Sequence, residues 1–173
     1  MKHVLVTGGG TAGHVLPAIP VIEKCLEAGW KVSFIGSRSG LEETLLSGIE
    51  LNYFSIPTGK FRRYFTLKNV LDFFSFLLGV TNSLMIVIRI KPDVIFSKGG
   101  FVSLPVVVAG WVLRVPILAH ESDSSPGLAN RISLRFLKTY CTTFPTLGAL
   151  DKRLKYKIAV SYTHLTLPTK RIV

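Results

Sequence analysis

Near the N-terminus an apolar run, Val4-Leu-Val-Thr7, leads into Gly8-Gly-Gly10-Thr-Ala-Gly13-His14. Glycines in this density between a strand and a helix suit a phosphate cradle. They let the backbone take φ > 0 and approach a ligand closely, while the unpaired N–H groups of the following helix point at it with the positive end of the helix dipole. A tight strand-to-helix turn without a ligand is the plainer alternative. The spacing Gly8-x-Gly10-x-x-Gly13 also satisfies the dinucleotide fingerprint, whose second requirement is an acid at the end of the next strand. That strand, Lys31-Val-Ser-Phe-Ile35, runs instead into Gly36-Ser37-Arg38-Ser39. The missing acid disfavours NAD, and Arg38 keeps an NADP-dependent oxidoreductase open as an alternative.

Two further clusters combine glycine with polar side chains: Ser97-Lys-Gly-Gly100 through Ser103, and His120-Glu-Ser-Asp123 through Asn130. Each follows a short apolar run, Val94-Ile-Phe96 and Val115-Pro-Ile-Leu-Ala119, and each precedes a helical pattern. Strand and helix signals alternate along the chain, which predicts an α/β fold: a Rossmann-like parallel sheet with helices on both faces. The first helix carries Pro17 and Pro20 near its start, buries Val21, Ile22, Cys25 and Leu26, and stops at Gly29. A short helix over 41–46, a strand over 51–56, a long helix over 66–90 ended by Pro92, a helix over 127–137 and a closing strand over 140–143 complete the expected series. In open α/β sheets the ligand crevice lies beyond the carboxyl ends of the strands. The three clusters converge on that edge.

His14 sits at the mouth of the first turn, where it could act as a general base on a sugar hydroxyl, hydrogen-bond a phosphate, or merely cap a helix. Glu121 and Asp123 follow a buried strand, where paired acids are costly unless they bind something, and capping of the next helix by Asp123 or Ser124 is the competing role. Neither Cys25 nor Cys141 has metal-ligand spacing, so both are expected to be reduced core residues of a cytosolic protein. No metal cluster or cofactor is expected, and no signal peptide precedes the first strand.

The motifs Gly8–His14, Lys98-Gly-Gly-Phe-Val-Ser-Leu-Pro105 and His120-Glu-Ser-Asp-Ser-Ser-Pro-Gly-Leu-Ala-Asn130, in this order, closely resemble the N-terminal half of the MurG family of glycosyltransferases. The resemblance runs from about His3 to Thr143. It implies the acceptor-binding N-terminal domain of a two-domain GT-B enzyme that moves N-acetylglucosamine from UDP-GlcNAc to lipid I (undecaprenyl-pyrophosphoryl-MurNAc-pentapeptide), making lipid II for peptidoglycan with inversion at the anomeric carbon. On that basis His14 is the candidate catalytic base, and Thr11, Ala12, Gly13 and Asp123 are candidates for donor contact. Many family members carry Asn where this chain has Asp123. Gly9, Gly10, Gly99, Gly100, Ser103, Glu121 and Asn130 are expected to hold the acceptor and its pyrophosphate.

Lysine and arginine outnumber aspartate and glutamate 21 to 10, a net charge of +11 that favours an anionic partner. A basic nucleic-acid-binding module is a further alternative, although charge without a recognised motif supports it and no nucleic-acid partner is expected. The run from Val70 to Ile90 is apolar enough to suggest a membrane span, yet Asp72, Asn82 and Ser83 argue against one. A crossover helix must cover its sheet, which leaves Phe73, Phe74 and Phe76 as candidates for a face that dips into lipid. Lys60, Arg62, Arg63 and Lys68 precede it, and basic residues beside an apolar helix suit an anionic membrane surface. A core helix beside a solvated basic loop is the competing reading. The protein is therefore expected to be peripheral on the cytoplasmic face of the bacterial plasma membrane.

From Val160 the chain reads Val-Ser-Tyr-Thr-His-Leu-Thr-Leu-Pro-Thr169, like the in-frame translation of a transposase sequencing adapter. Residues 1–158 are expected to be the acceptor-binding domain and 159–173 a non-native tail, with the C-terminal donor domain absent. Such a chain should have no transferase activity alone.

Overall fold

The computed structural model describes residues 1–38, 40–59, 68–123, 125–143 and 155–158, with 68–71 and 155–158 described by backbone alone. Seven strands form one parallel sheet: β1 (His3–Gly8), β2 (Lys31–Ser37), β3 (Asn52–Ile56), β4 (Val94–Gly99), β5 (Ile117–Glu121), β6 (Thr139–Thr142) and β7 (Lys155–Ile158). Their spatial order is β3-β2-β1-β4-β5-β6-β7. The order reverses between β1 and β4, so their carboxyl ends part there and open a crevice, the position at which doubly wound sheets bind ligands. Gly8 ends β1 and Gly99 ends β4, and the pairing register between these strands shifts at Thr7–Gly8. Both glycine turns therefore leave the sheet at its switch point.

Successive residues of a strand face opposite sides of the sheet. Val4, Val6, Val32, Phe34 and Phe96 accordingly pack on one face with Val15, Ala18, Ile22 and Leu46, brought by α1 (Ala12–Val15), the 3-10 turn Leu16–Ala18, α2 (Ile19–Glu27) and α3 (Glu42–Leu46). Leu5, Ile35, Ile95 and Ile117 face the other side, against Val87 of α4 (Lys68–Ile90) and Val106 and Val107 of α5 (Ser103–Val112). Helices on both faces are as the sequence predicts. Cys141 is buried and Cys25 half-buried, and neither is in a disulfide.

Three details depart from expectation. β5 starts at Ile117, because Pro116 has no N–H to give the ladder and instead accepts from the Ile95 N–H at 2.9 Å. It runs on to Glu121, so His120 and Glu121 lie on the strand rather than beyond it. The predicted helix over 127–137 is a short helix, α6 (Leu128–Ser133), continued by a 3-10 turn, Leu134–Phe136. β6 does not close the sheet, since β7 pairs with it in parallel; a four-residue strand of alternating lysines carries too little apolar signal to be read in advance.

The long helix α4 divides cleanly by face. Gly79 is buried so closely that a Cβ there would lie 2.5 Å from the Pro57 carbonyl oxygen, and Ser83 and Val87 continue the inner stripe at intervals of four residues. Phe73, Phe74, Leu77, Leu78, Met85 and Ile88 are exposed on the outside, whereas Phe76 is half-buried. By length and composition Asp72–Ile90 could cross a bilayer. It lies between β3 and β4, however, two strands of one sheet, with Pro92 and Lys91 in a left-handed conformation (φ 46°) turning the chain into β4. It is a crossover helix with one unpartnered apolar face.

Candidate functional site

A cleft of about 250 Å3 opens at the switch point between the two glycine turns and α6. Gly9, Gly10, Thr11, His14, Gly100, Glu121, Asp123 and Asn130 line it, so three segments distant in sequence meet as anticipated. Phe101, Leu128 and Ile132 join them and form an apolar shelf that the sequence reading missed. Their signal was hidden because an apolar residue in a helix reads first as core.

Within the two turns only some of the glycines take positive φ. Gly10 (φ 88°), Gly99 (93°) and Gly100 (83°) adopt it, and Gly8, Gly9 and Gly13 do not. At Gly100 a Cβ would lie 2.1 Å from the Gly9 carbonyl oxygen, and at Gly10 it would lie 2.2 Å from the Phe101 ring. The expectation that Gly13 needs φ > 0 is therefore corrected: a Cβ there would meet only Thr11 Oγ1, at 3.7 Å. Ala12 and Gly13 stand at the head of α1 outside the cleft lining, and Gly99 lies behind it against Asn130.

The cradle itself is built differently from the simple picture of upturned amides. The Gly9 N–H donates to the Gly99 carbonyl at 3.3 Å, and the Gly10 N–H donates to Glu42 Oε1 at 2.8 Å. Neither is left for a ligand. The amides of Thr11, Ala12 and Gly13 remain at the start of α1, where Thr11 makes no side-chain cap bond. Glu42 also corrects the reading that no acid stands near the end of β2. The acid arrives five residues beyond Ser37, on α3, and is buried beneath the turn rather than offered to a ribose. Ser103 is buried outside the cleft lining, where its Oγ donates to the Gly100 carbonyl at 2.9 Å and holds the second turn.

Glu121 organises the third segment. Its carboxylate accepts from the Asp123 N–H at 3.1 Å, the Gly127 N–H at 3.3 Å and Asn130 Nδ2 at 2.7 Å. Glu121 lines the cleft with these three donors already engaged. Gly127 rather than Asp123 occupies the N-cap of α6, without a side-chain cap bond, and its N–H goes to Glu121, while Ser124 lies outside the described residues. Asp123 is exposed on the cleft wall. Asn130, 2% exposed, keeps its Oδ1 without a hydrogen-bond partner. A buried acceptor on a cleft wall is costly unless a ligand donor meets it.

His14 is inside α1 rather than capping it. Burial and the Lys98 ammonium push its pKa below the usual 6.5, opposed by Glu121, Asp123 and a hydrogen bond to the Lys98 backbone carbonyl. A neutral ring that donates from one nitrogen must present the other as an acceptor. Lys98 lies buried beneath the site with Nζ donating to Ser122 Oγ at 2.5 Å, and burial lowers its pKa against the pull of Glu121 and Asp123. Burial, then Lys98, lowers His120 to about 4. His3, at the opposite sheet edge, is also lowered, mainly by burial.

These shifts fix a pH dependence. Below pH 6.5 the histidines of the unfolded chain take up protons that the folded chain refuses, so stability falls as pH drops from about 6.5 toward 4. Thermal melts at matched ionic strength should give a lower Tm at pH 5.0 than at pH 7.5. An equal or higher Tm at pH 5.0 would contradict the assignment of neutral histidines.

Among the described residues no group of three or more His, Cys, Asp or Glu is arranged to hold a metal ion. Lys60, Arg62, Arg63 and the 159–173 tail lie outside the described residues, as does the side chain of Lys68.

Residues 4–142 match the family model of the glycosyltransferase family 28 N-terminal domain. The chain belongs to that family. It is 48% identical over 163 residues to the UDP-N-acetylglucosamine--N-acetylmuramyl-(pentapeptide) pyrophosphoryl-undecaprenol N-acetylglucosamine transferase of Legionella pneumophila (strain Corby), covering 94% of this chain and 45% of the relative. A Bacillus thuringiensis (strain Al Hakam) transferase of the same description, numbered 3, is 51% identical over 144 residues, 83% of this chain and 41% of the relative. The crystal structure of Acinetobacter baumannii MurG superposes with a TM-score of 0.77 at 26% identity, over 89% of this chain and 44% of that one. The chain thus spans less than half the length of the relatives it matches. The family 28 match agrees with the resemblance read from the three motifs and with the GT-B-type N-terminal architecture, and it lends no support to an oxidoreductase or a nucleic-acid-binding module.

Proposed function

We propose that the cleft binds a lipid-linked pyrophosphoryl sugar, lipid I, and that the domain serves as the acceptor half of an N-acetylglucosaminyltransferase using UDP-GlcNAc to make lipid II. The observation that carries this reading is the pairing, on one cleft, of a neutral His14 with the unpartnered Asn130 Oδ1. One can take a proton from an attacking sugar hydroxyl and the other can accept a hydrogen bond from the sugar. The head of α1 supplies amide donors for the pyrophosphate without a metal. Attack by the deprotonated hydroxyl on the anomeric carbon, with UDP leaving, forms the new glycosidic bond and inverts the centre. In this reading Thr11 and Asp123, both exposed where they line the cleft, meet the donor, with Ala12 and Gly13 at the head of α1. Calorimetric titration with a short-chain lipid I analogue should show saturable binding that inorganic pyrophosphate weakens. Absence of binding would remove the reading.

The acceptor's lipid must leave the cleft for a bilayer, and the outer face of α4 suits that surface. Phe73 and Phe74 are 52% and 57% exposed on it, beside Leu77 and Leu78. With Lys60, Arg62, Arg63 and Lys68 in the preceding segment, each adding roughly 1 kcal/mol near an anionic surface, the domain is peripheral on the cytoplasmic face of the plasma membrane. The chain should bind anionic vesicles and be released as salt rises, and Phe73→Ser with Phe74→Ser should weaken binding even at low salt. Equal partitioning into neutral vesicles would count against the basic contribution, and no partitioning at all would count against α4.

A further inference from the structure

The carboxyl group of Glu42 is 1% exposed and has neutral donors for partners: the Gly10 N–H at 2.8 Å on Oε1 and the Ser37 hydroxyl at 3.0 Å on Oε2. A buried carboxylate is expensive unless it is hydrogen-bonded, and this one is placed under the first glycine turn at the expense of two side chains. A Cβ at Gly9 would lie 2.0 Å from Oε1, one at Gly40 1.5 Å from Oε2, and one at Gly36 3.1 Å from the Glu42 Cβ. The glycines of the first turn and of the loop before α3 thus leave the volume that the acid fills, while Gly36 of β2 chiefly makes room for Tyr53, whose Oη would lie 2.2 Å from a Cβ there. The support continues below it, where Tyr53 Oη of β3 donates to the Ser37 carbonyl at 3.3 Å. Burial, with Glu42 and Glu43, raises the Tyr53 pKa, which keeps that phenol a donor.

The consequence lies on the other side of the turn. Gly10 has φ 88°, the Phe101 ring closes against it, and the next residue, Thr11, opens α1 and lines the cleft. A peptide N–H that had no fixed acceptor could rotate, and the amides that follow it would lose their common direction.

We propose that Glu42 is a positioning residue: by holding the Gly10 N–H from below it fixes the turn that aims the Thr11 amide at the anion in the cleft. The ligand side of this inference rests on the pyrophosphate reading above, whereas the latch itself does not. The bond geometry predicts that Gln at this position still accepts from Gly10 and still meets Ser37, that Asp is one methylene too short to reach both, and that Ala reaches neither.

The test measures Gly10 amide hydrogen exchange by NMR together with inorganic pyrophosphate affinity in the full 173-residue chain. E42A should exchange Gly10 at least about 100-fold faster and bind pyrophosphate at least about 10-fold more weakly, while amides of β4 and β5 keep their protection. E42Q should stay within about threefold of wild type in both readouts. If E42A fails to fold, E42D, with its charge intact, should show the same direction of change. Unchanged Gly10 exchange in E42A or E42D would overturn the latch, and faster exchange with unchanged pyrophosphate affinity would overturn its role in aiming the amides. Wild-type protein that does not bind pyrophosphate would overturn the phosphate reading instead, leaving the exchange rates to decide the latch.

Discussion

Gly100→Val is expected to abolish binding of a pyrophosphoryl acceptor and to lower stability severely. Gly100 holds φ 83°, a region that a β-branched residue resists, and strain of this kind costs about 1–3 kcal/mol before any contact is counted. The contact is worse, since the new Cβ would sit 2.1 Å from the Gly9 carbonyl oxygen and 3.0 Å from the His14 ring carbon Cδ2. Backbone on one side and the candidate base on the other leave the turn no direction in which to yield. Denaturant unfolding and acceptor titration check both effects. Gly13→Ala is the matched comparison, because its side chain would enter open space at ordinary φ, and it should fold with a Tm close to wild type. A Gly100→Val protein with wild-type stability and affinity would show that the two turns do not meet as described.

His14→Ala, made in a version that carries the donor-binding half, is expected to lower turnover by about 10²-fold or more while leaving the melting temperature little changed. Burial and Lys98 hold this imidazole below its ordinary 6.5, so the base is already unprotonated at neutral pH. Turnover should therefore hold steady from pH 8 down to 6.5 and fall only on the acid side of that value. Removing the Lys98 charge by Lys98→Met should move that acid limb upward. A His14→Ala protein that loses stability and keeps turnover would assign the histidine to the fold alone.

Much of this was legible in the chain because the relevant signals are local. Glycine density after an apolar run marked both turns, and alternation of strand and helix patterns placed them at one sheet edge before any contact was known. Local signals also misled. Gly13 reads like its neighbours in sequence, but only the path of the backbone decides which glycine needs φ > 0. Glu121 does line the cleft, but its three donors, from residues two, six and nine positions later, could not be read from sequence because they fold back over the strand end. Glu42 was passed over because the fingerprint directs attention to the end of β2, whereas the acid comes from the following helix and points beneath the turn. Asn130 was found by its motif, although its meaning, an acceptor left open on a buried wall, belongs to packing.

The most direct test of the account is amide chemical-shift mapping of the 173-residue chain during titration with a short-chain polyprenyl-pyrophosphoryl muramyl peptide. The account predicts saturable shifts at Thr11–His14, Gly100–Phe101 and Gly127–Asn130, the three segments that wall the cleft. Shifts confined to the opposite sheet edge around Trp111, Arg114 and Lys138, or no shifts at all, would contradict it.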